Sequence, residues 1–209
     1  MPGQLPPLRE LAPRVLLVGA AVIWLAHACQ STLLRPLLPA MSQILSRLDP
    51  DLKVLSVVAG QEGPNRTVTF EVNLRHPVVI GGRTVYPYGW GAMPAGSLEV
   101  NLDAAGLLEY AALSLIVVLA WPPRALREFL LRLALALPPS ILLLLVPGPS
   151  TALSLVWGPF HQALASEAVW PSLAWSRFLS GGGGLALALV SAISSIGLAA
   201  RTAPPEARR

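Results

Sequence analysis

AAGLLEYAALSLIVVLAWPPRALREFLLRLALALPPSILLLLVPG, running from Ala104 to Gly148, decides the fold. Two apolar runs, 104–123 and 133–149, flank a short segment that holds Arg124, Arg127 and Arg132. A helix needs about 20 apolar residues to cross about 30 Å of hydrocarbon, and each run comes near that length. Two further runs of the same kind occupy 15–34 and 181–200. The pattern predicts a membrane α-helical fold: four transmembrane helices, with a small periplasmic β-rich domain between helices 1 and 2.

Composition agrees. The chain has 209 residues, 54% of them hydrophobic and 12% charged, against a charged share of about 25% in ordinary soluble domains. A formal charge of +4 points at first to nucleic acid. The basic residues sit at the edges of apolar runs, not on one solvated patch, so no nucleic-acid partner is expected. Lys53 is the only lysine among fifteen basic residues, and this bias, with abundant Ala, Leu, Gly and Pro, reads as bacterial. The lone Cys29 excludes an internal disulfide and a cysteine-rich metal site.

Charge also sets an expected orientation. Arginines of short loops gather on the cytosolic side of a membrane. With the N-terminus inside, the inner segments hold Arg9, Arg14, Arg124, Arg127, Arg132, Arg201, Arg208 and Arg209 against Glu10, Glu128 and Glu206. The outer segments balance basic against acidic residues. The expected layout is therefore an inner-membrane, multi-pass protein with both ends in the cytosol. It has a cytosolic head at 1–14, a first helix at 15–34, and a periplasmic amphipathic helix plus β domain at 35–103. A second helix at 104–123, a cytosolic Arg-rich loop at 124–132 and a third helix at 133–149 follow. A periplasmic interfacial aromatic segment at 150–180, a fourth helix at 181–200 and a cytosolic tail at 201–209 complete it. Ala26-His27-Ala28 has the form of a signal-peptidase site. Continuation of the helix through Gln30–Leu34 favours an uncut signal anchor.

Outside the apolar runs, Leu37 to Leu48 has helical spacing of its apolar residues. Thr67 to Leu74 alternates as a strand, with Val68, Phe70, Val72 and Leu74 on one face. Lys53–Val58, Val78–Tyr86 (turning at Gly81-Gly82) and Leu98–Leu102 supply further strands. Pro138-Pro139 removes two backbone donors and predicts a kink or break in the third helix. Glu109 is the carboxylate inside an expected span, and snorkelling or pairing with Arg177 or Arg35 is its favoured reading over proton relay. Candidate interaction residues are Tyr86, Tyr88, Trp90, Glu109, Trp170, Trp175 and Arg177. Interfacial aromatics are the simpler reading of the Tyr and Trp residues, and a partner contact is the alternative. No catalytic constellation, cofactor site or metal site is read from the sequence.

The order of features resembles the exosortase-associated membrane proteins, most closely the exosortase H-type group. The likeness is carried by the N-terminal anchor, by Val68-Thr69-Phe70-Glu71-Val72-Asn73, by Leu98-Glu99-Val100-Asn101-Leu102, and by the three apolar runs that follow. The resemblance implies a companion of a membrane transpeptidase that processes sorting signals, with no catalytic residues to carry over. The expected function is a non-enzymatic accessory subunit of a bacterial inner-membrane complex, in export or sorting of surface proteins. Its expected partners are the lipid bilayer and a membrane protein, an exosortase if the resemblance holds. The alternative expectation is a transporter or permease subunit using Glu109 and a broken third helix.

Overall fold

The computed structural model describes residues 8–62, 65–91, 96–123, 125–163 and 171–202. They fall into two compact units. The first contains residues up to Cys29, Leu108–Leu144 and the chain from Gly182 onward; the second contains Gln30–Leu107 and Leu145–Gly181.

The first unit is helical. It is built from α1 (Leu8–Ala28), most of α4 (Ala104–Ala120), most of α5 (Leu126–Leu145) and α8 (Gly184–Thr202). Ala111, Leu143 and Ala188 form one buried layer, and Val118, Ala136 and Ala192 form another. From the first layer to the second, numbering rises in α4 and α8 and falls in α5. Consecutive helices of this trio therefore run in opposite directions. The small side chains matter, because alanine and glycine let helix backbones approach closely where lipid provides no hydrophobic drive. On α8 the buried stripe is Gly184, Ala188, Ala192, Ser195 and Ala199. Ser195 is buried and bonds back to the Ser191 carbonyl at 2.8 Å, whereas Ser194 is exposed.

Helix α1 presents Leu16, Leu17, Ile23 and Trp24 outward, each more than 60% exposed. So bare an apolar face suits a lipid environment. Three stretches, Leu11–Ala28, Leu126–Phe160 and Leu173–Thr202, are long and apolar enough to cross a membrane. Helix α4, with 17 residues, is a shorter apolar helix.

Several expected boundaries move. The first helix covers Leu8–Ala28 instead of 15–34, gaining length at its start, where Arg9 and Arg14 are exposed. Beyond Cys29 the chain forms α2 (Gln30–Leu34) and a 3-10 turn, Arg35–Leu37. Pro36 and Pro39 each lack the donor that a continuous helix needs. The expected loop 124–132 is mostly the first turns of α5. Pro138 and Pro139 lie inside α5, which continues through both to Leu145. Each removes one donor, and the flanking ladder holds. The helix instead stops at Val146, where Pro147, Gly148 and Pro149 concentrate three weak helix formers. At the other glycine-rich point, Gly182 has φ 101°, a conformation that side chains disfavour, and it separates α7 (Pro171–Phe178) from α8.

The second unit pairs helices with a sheet of order β1-β2-β5, all antiparallel, where β1 is Leu52–Glu62, β2 Asn65–Leu74 and β5 Leu98–Asp103. The alternation read in β2 is observed: Val68, Phe70, Val72 and Leu74 are buried. Opposite them, Leu102, Val100 and Leu98 continue the apolar face on β5. On β1 the partners are Leu52, Val54, Val57 and Ala59, so the inward phase changes from even to odd numbers. A bulge between Val54 and Ser56 makes that change by leaving Leu55 unpaired. Helix α3 (Leu38–Leu48) packs against β1, α6 (Pro147–Ala163) against β5, and the two helices against each other. Met41, Leu45 and Trp157 are fully buried in this core.

On the opposite face Glu71 stands directly across from Glu99, a pairing that like charge disfavours. Two hydroxyls hold Glu71: Ser97 donates at 2.7 Å and Ser56 at 2.9 Å. These bonds, Ser97 first, lower its carboxyl below the ordinary glutamate value, with desolvation opposing weakly. A depressed folded pKa gives stability that is present above the unfolded pKa and is lost as pH falls through the folded one. The wild-type unfolding midpoint should therefore drop on acidification below about pH 4.5. Glu71→Gln should show a shallower decline in a melting series from pH 6 to pH 3. The effect is small because the group faces solvent. An equal slope in both proteins would remove this role.

Candidate functional site

The clearest built surface lies in the second unit, on the chain between β2 and β5. Strands β3 (Val78–Ile80) and β4 (Arg83–Val85) form a hairpin joined by Gly81 and Gly82. Both glycines have positive φ, 55° and 77°, as the tight two-residue turn requires. Tyr86-Pro87-Tyr88-Gly89-Trp90-Gly91 follows. The Trp90 N–H bonds the Pro87 carbonyl at 3.2 Å across Gly89, whose φ is 78°. That is a turn with glycine at the position that needs left-handed backbone.

This loop is clamped to the sheet by one side chain. Asn73, at the end of β2, donates from Nδ2 to the Tyr88 carbonyl at 3.0 Å and accepts the Tyr88 N–H on Oδ1 at 3.0 Å. An amide so placed copies the two-way exchange of a strand pair. Pro87 turns inward and is buried, while Tyr86, Tyr88 and Trp90 remain 43–50% exposed. The chain at Gly96 passes beside the Tyr88 ring, where an added Cβ would lie 3.2 Å from Cδ1. Three aromatic side chains thus stand outward from an ordered backbone. Rigid amphipathic rings lose little conformational entropy on contact, which suits them to recognition.

The other expected interaction residues within the described chain lie on other elements. Trp175 and Arg177 lie on α7: Trp175 is half-buried and stacked on Phe178 with centroids 5.3 Å apart, and Arg177 is exposed. Ser154 ties α6 to α7 through a 3.1 Å bond to Ser176. Trp170 lies outside the described residues. Glu109 is exposed on α4, and its suggested partners Arg35 and Arg177 belong to the other compact unit.

Polar groups that sequence reasoning missed are structural in geometry. Asp49, just past the end of α3, is 4% exposed and accepts the Trp157 indole N–H at 2.6 Å. Its other oxygen accepts the Asp51 N–H at 2.9 Å. The buried carboxylate of the helical unit is Glu128, joined to Arg132 one turn later. The i,i+4 spacing of Glu128 and Arg132 was the available signal. His76 bonds Asp51 at 3.0 Å beside the β1–β2 end. No group of three or more metal-binding side chains occurs among the described residues.

These elements define a protein of long apolar helices, suited to a membrane, that carries a small antiparallel sheet and an ordered aromatic loop. No protein-family model, curated protein or solved structure matches the chain.

Proposed function

We propose that this protein is a non-enzymatic accessory subunit of a bacterial inner-membrane complex, acting in export or sorting of surface proteins. Four crossings with both ends in the cytosol are part of the proposal. Helix α4 would be the fourth crossing at about 25 Å, a length met by modest local thinning of the bilayer. The arginine pattern supports that orientation. The observation that carries the functional reading is the aromatic loop. A chain that fixes Tyr86, Tyr88 and Trp90 outward through a dedicated Asn73 clamp is built to hold a contact surface, beyond joining two strands. The partner proposed is a membrane protein, and the resemblance of the strand sequences makes an exosortase the first to test.

Photo-crosslinking from position 88 in living cells tests this reading. A photoreactive residue there should capture one dominant membrane protein. Tyr86→Ala with Trp90→Ala should cut the yield about tenfold, as expected when aromatic anchors are removed. Asn73→Ala should do so partially by loosening the loop. Crosslinking to lipid alone would establish the loop as a bilayer anchor and end the proposal.

A further inference from the structure

A cavity of about 340 Å³ lies within the second unit, beside the β1–β2 end distant from the Asn73 clamp. Ser31 of α2, Arg35 of the 3-10 turn, and Arg66 and Thr67 of β2 give it polar walls, while Leu34 and Ala104 are buried beneath. Arg66 Nη1 donates to Ser31 Oγ at 3.4 Å. That bond draws the strand and the helix-turn segment together across the cavity. None of the described lining residues is acidic.

Two guanidinium groups around one cavity form a receptor for a compact, multiply accepting anion. Each has a planar fork of five N–H donors, matched to the paired oxygens of a phosphate. Hydroxyls from Ser31 and Thr67 add donors of adjustable direction. Position along the chain narrows the source. Ser31 lies three residues beyond Ala28, the end of α1, and Ala104 is the first residue of α4. Chain reach of about 3.5 Å per residue keeps Ser31 within about 11 Å of the end of α1. Both wall and floor therefore come from the points where apolar helices meet the sheet domain.

We propose that this cavity binds a phosphate group, and that the group is the headgroup phosphate of an anionic phospholipid. The lipid assignment rests on the membrane-spanning reading of α1 and α4, whereas the anion site itself does not. Bound there, a lipid headgroup would fix the height and tilt of the sheet domain against the bilayer, and so the reach of the aromatic loop.

The test uses the full chain, purified in non-ionic detergent and stripped of lipid. Native mass spectrometry would compare retention of dioleoyl-phosphatidylglycerol with dioleoylglycerol, which has the same tails and no phosphate. Inorganic phosphate would be titrated by calorimetry in parallel. The wild type should retain the phosphatidylglycerol in preference. Arg35→Gln and Arg66→Gln should each weaken retention about tenfold, the worth of one charged hydrogen bond. Arg47→Gln, an exposed arginine elsewhere on α3, should leave retention unchanged. Arg35→Gln leaves the Arg66–Ser31 bond in place, so its circular dichroism should match the wild type and separate lost binding from lost fold. Lipid retention without phosphate binding supports the headgroup as source. Inorganic phosphate binding that Arg35→Gln abolishes, without lipid preference, would keep the anion site and overturn the lipid assignment. Equal retention by wild type and both glutamine variants, with no phosphate binding, would overturn the proposal entirely.

Discussion

Trp157→Ala is expected to destabilise the second unit by about 3–5 kcal/mol, the range for deleting a large core aromatic. Trp157 is fully buried, packs at 5.9 Å from Phe160, and places its indole N–H on Asp49. Asp49 ends α3 and begins the turn into β1, so this single bond links α6 to the helix–strand junction. Removing the ring opens a cavity between α3 and α6. It also leaves a buried carboxylate with one donor fewer, and unsatisfied buried groups cost about 1–3 kcal/mol or more when charged. Trp157→Phe isolates that second part, since most of the packing remains and only the donor is lost. Its expected cost is about 1–3 kcal/mol. Chemical unfolding in detergent, followed by far-ultraviolet circular dichroism, reads both. The order Ala worse than Phe worse than wild type is required. A wild-type midpoint for Trp157→Ala would mean that α6 is not held to the sheet through this residue. The loss should reach function too, because α6 packs on β5, the sheet neighbour of the strand whose end carries Asn73. Crosslinking from position 88 should fall in Trp157→Ala even though the loop itself is intact.

Trp157 also shows where sequence reading stops. It opens the aromatic segment expected at an interface, yet it lies in the core, held by a residue 108 positions away. Nothing local distinguishes a tryptophan that meets headgroups from one that meets Asp49. By contrast, the face of β2 was legible. A period of two writes burial directly into Val68, Phe70, Val72 and Leu74. Strand β1 was harder, because the bulge at Leu55 shifts its phase and carries no residue signature in Lys53–Val58. The exposed rings of Tyr86, Tyr88 and Trp90 could be placed from the alternation of aromatic residues with Pro and Gly. The Asn73 clamp could not, since an asparagine that ends a strand is equally common as a free turn former. Among carboxylates, Glu109 stands alone in an apolar run, whereas Glu128 sits among arginines. Glu109 is exposed on α4 and Glu128 is buried on α5, a difference that spacing within either run does not show.

That burial supports the second large effect, expected for Arg132→Leu. The Arg132 and Glu128 side chains are 3% and 4% exposed and form an ion pair one turn apart on α5. Arg132 also donates to the Trp121 and Pro122 carbonyls at 3.1 and 3.4 Å, just past the end of α4. It therefore closes the α4–α5 turn, where Pro122 and Pro123 cannot supply donors. Losing Arg132 strands a buried carboxylate and two carbonyls together. Breaking a buried pair from one side costs about 3–5 kcal/mol, whereas replacing both partners by apolar residues is often close to neutral. Arg132→Leu should thus be much worse than Glu128→Leu with Arg132→Leu, and a double-mutant cycle should give a coupling well above 1 kcal/mol in order of magnitude. A coupling near zero would show that the arginine works through the carbonyls alone. The same pair tempers the arginine count on which the proposed orientation rests. Arg132 is buried in its ion pair and would contribute little free positive charge to the inner surface in the proposed orientation. Arg9, Arg14, Arg124, Arg127, Arg201, Arg208 and Arg209 remain for that role, so under the proposed orientation Arg132→Leu should lower stability while reporters fused to either terminus keep a cytosolic signal.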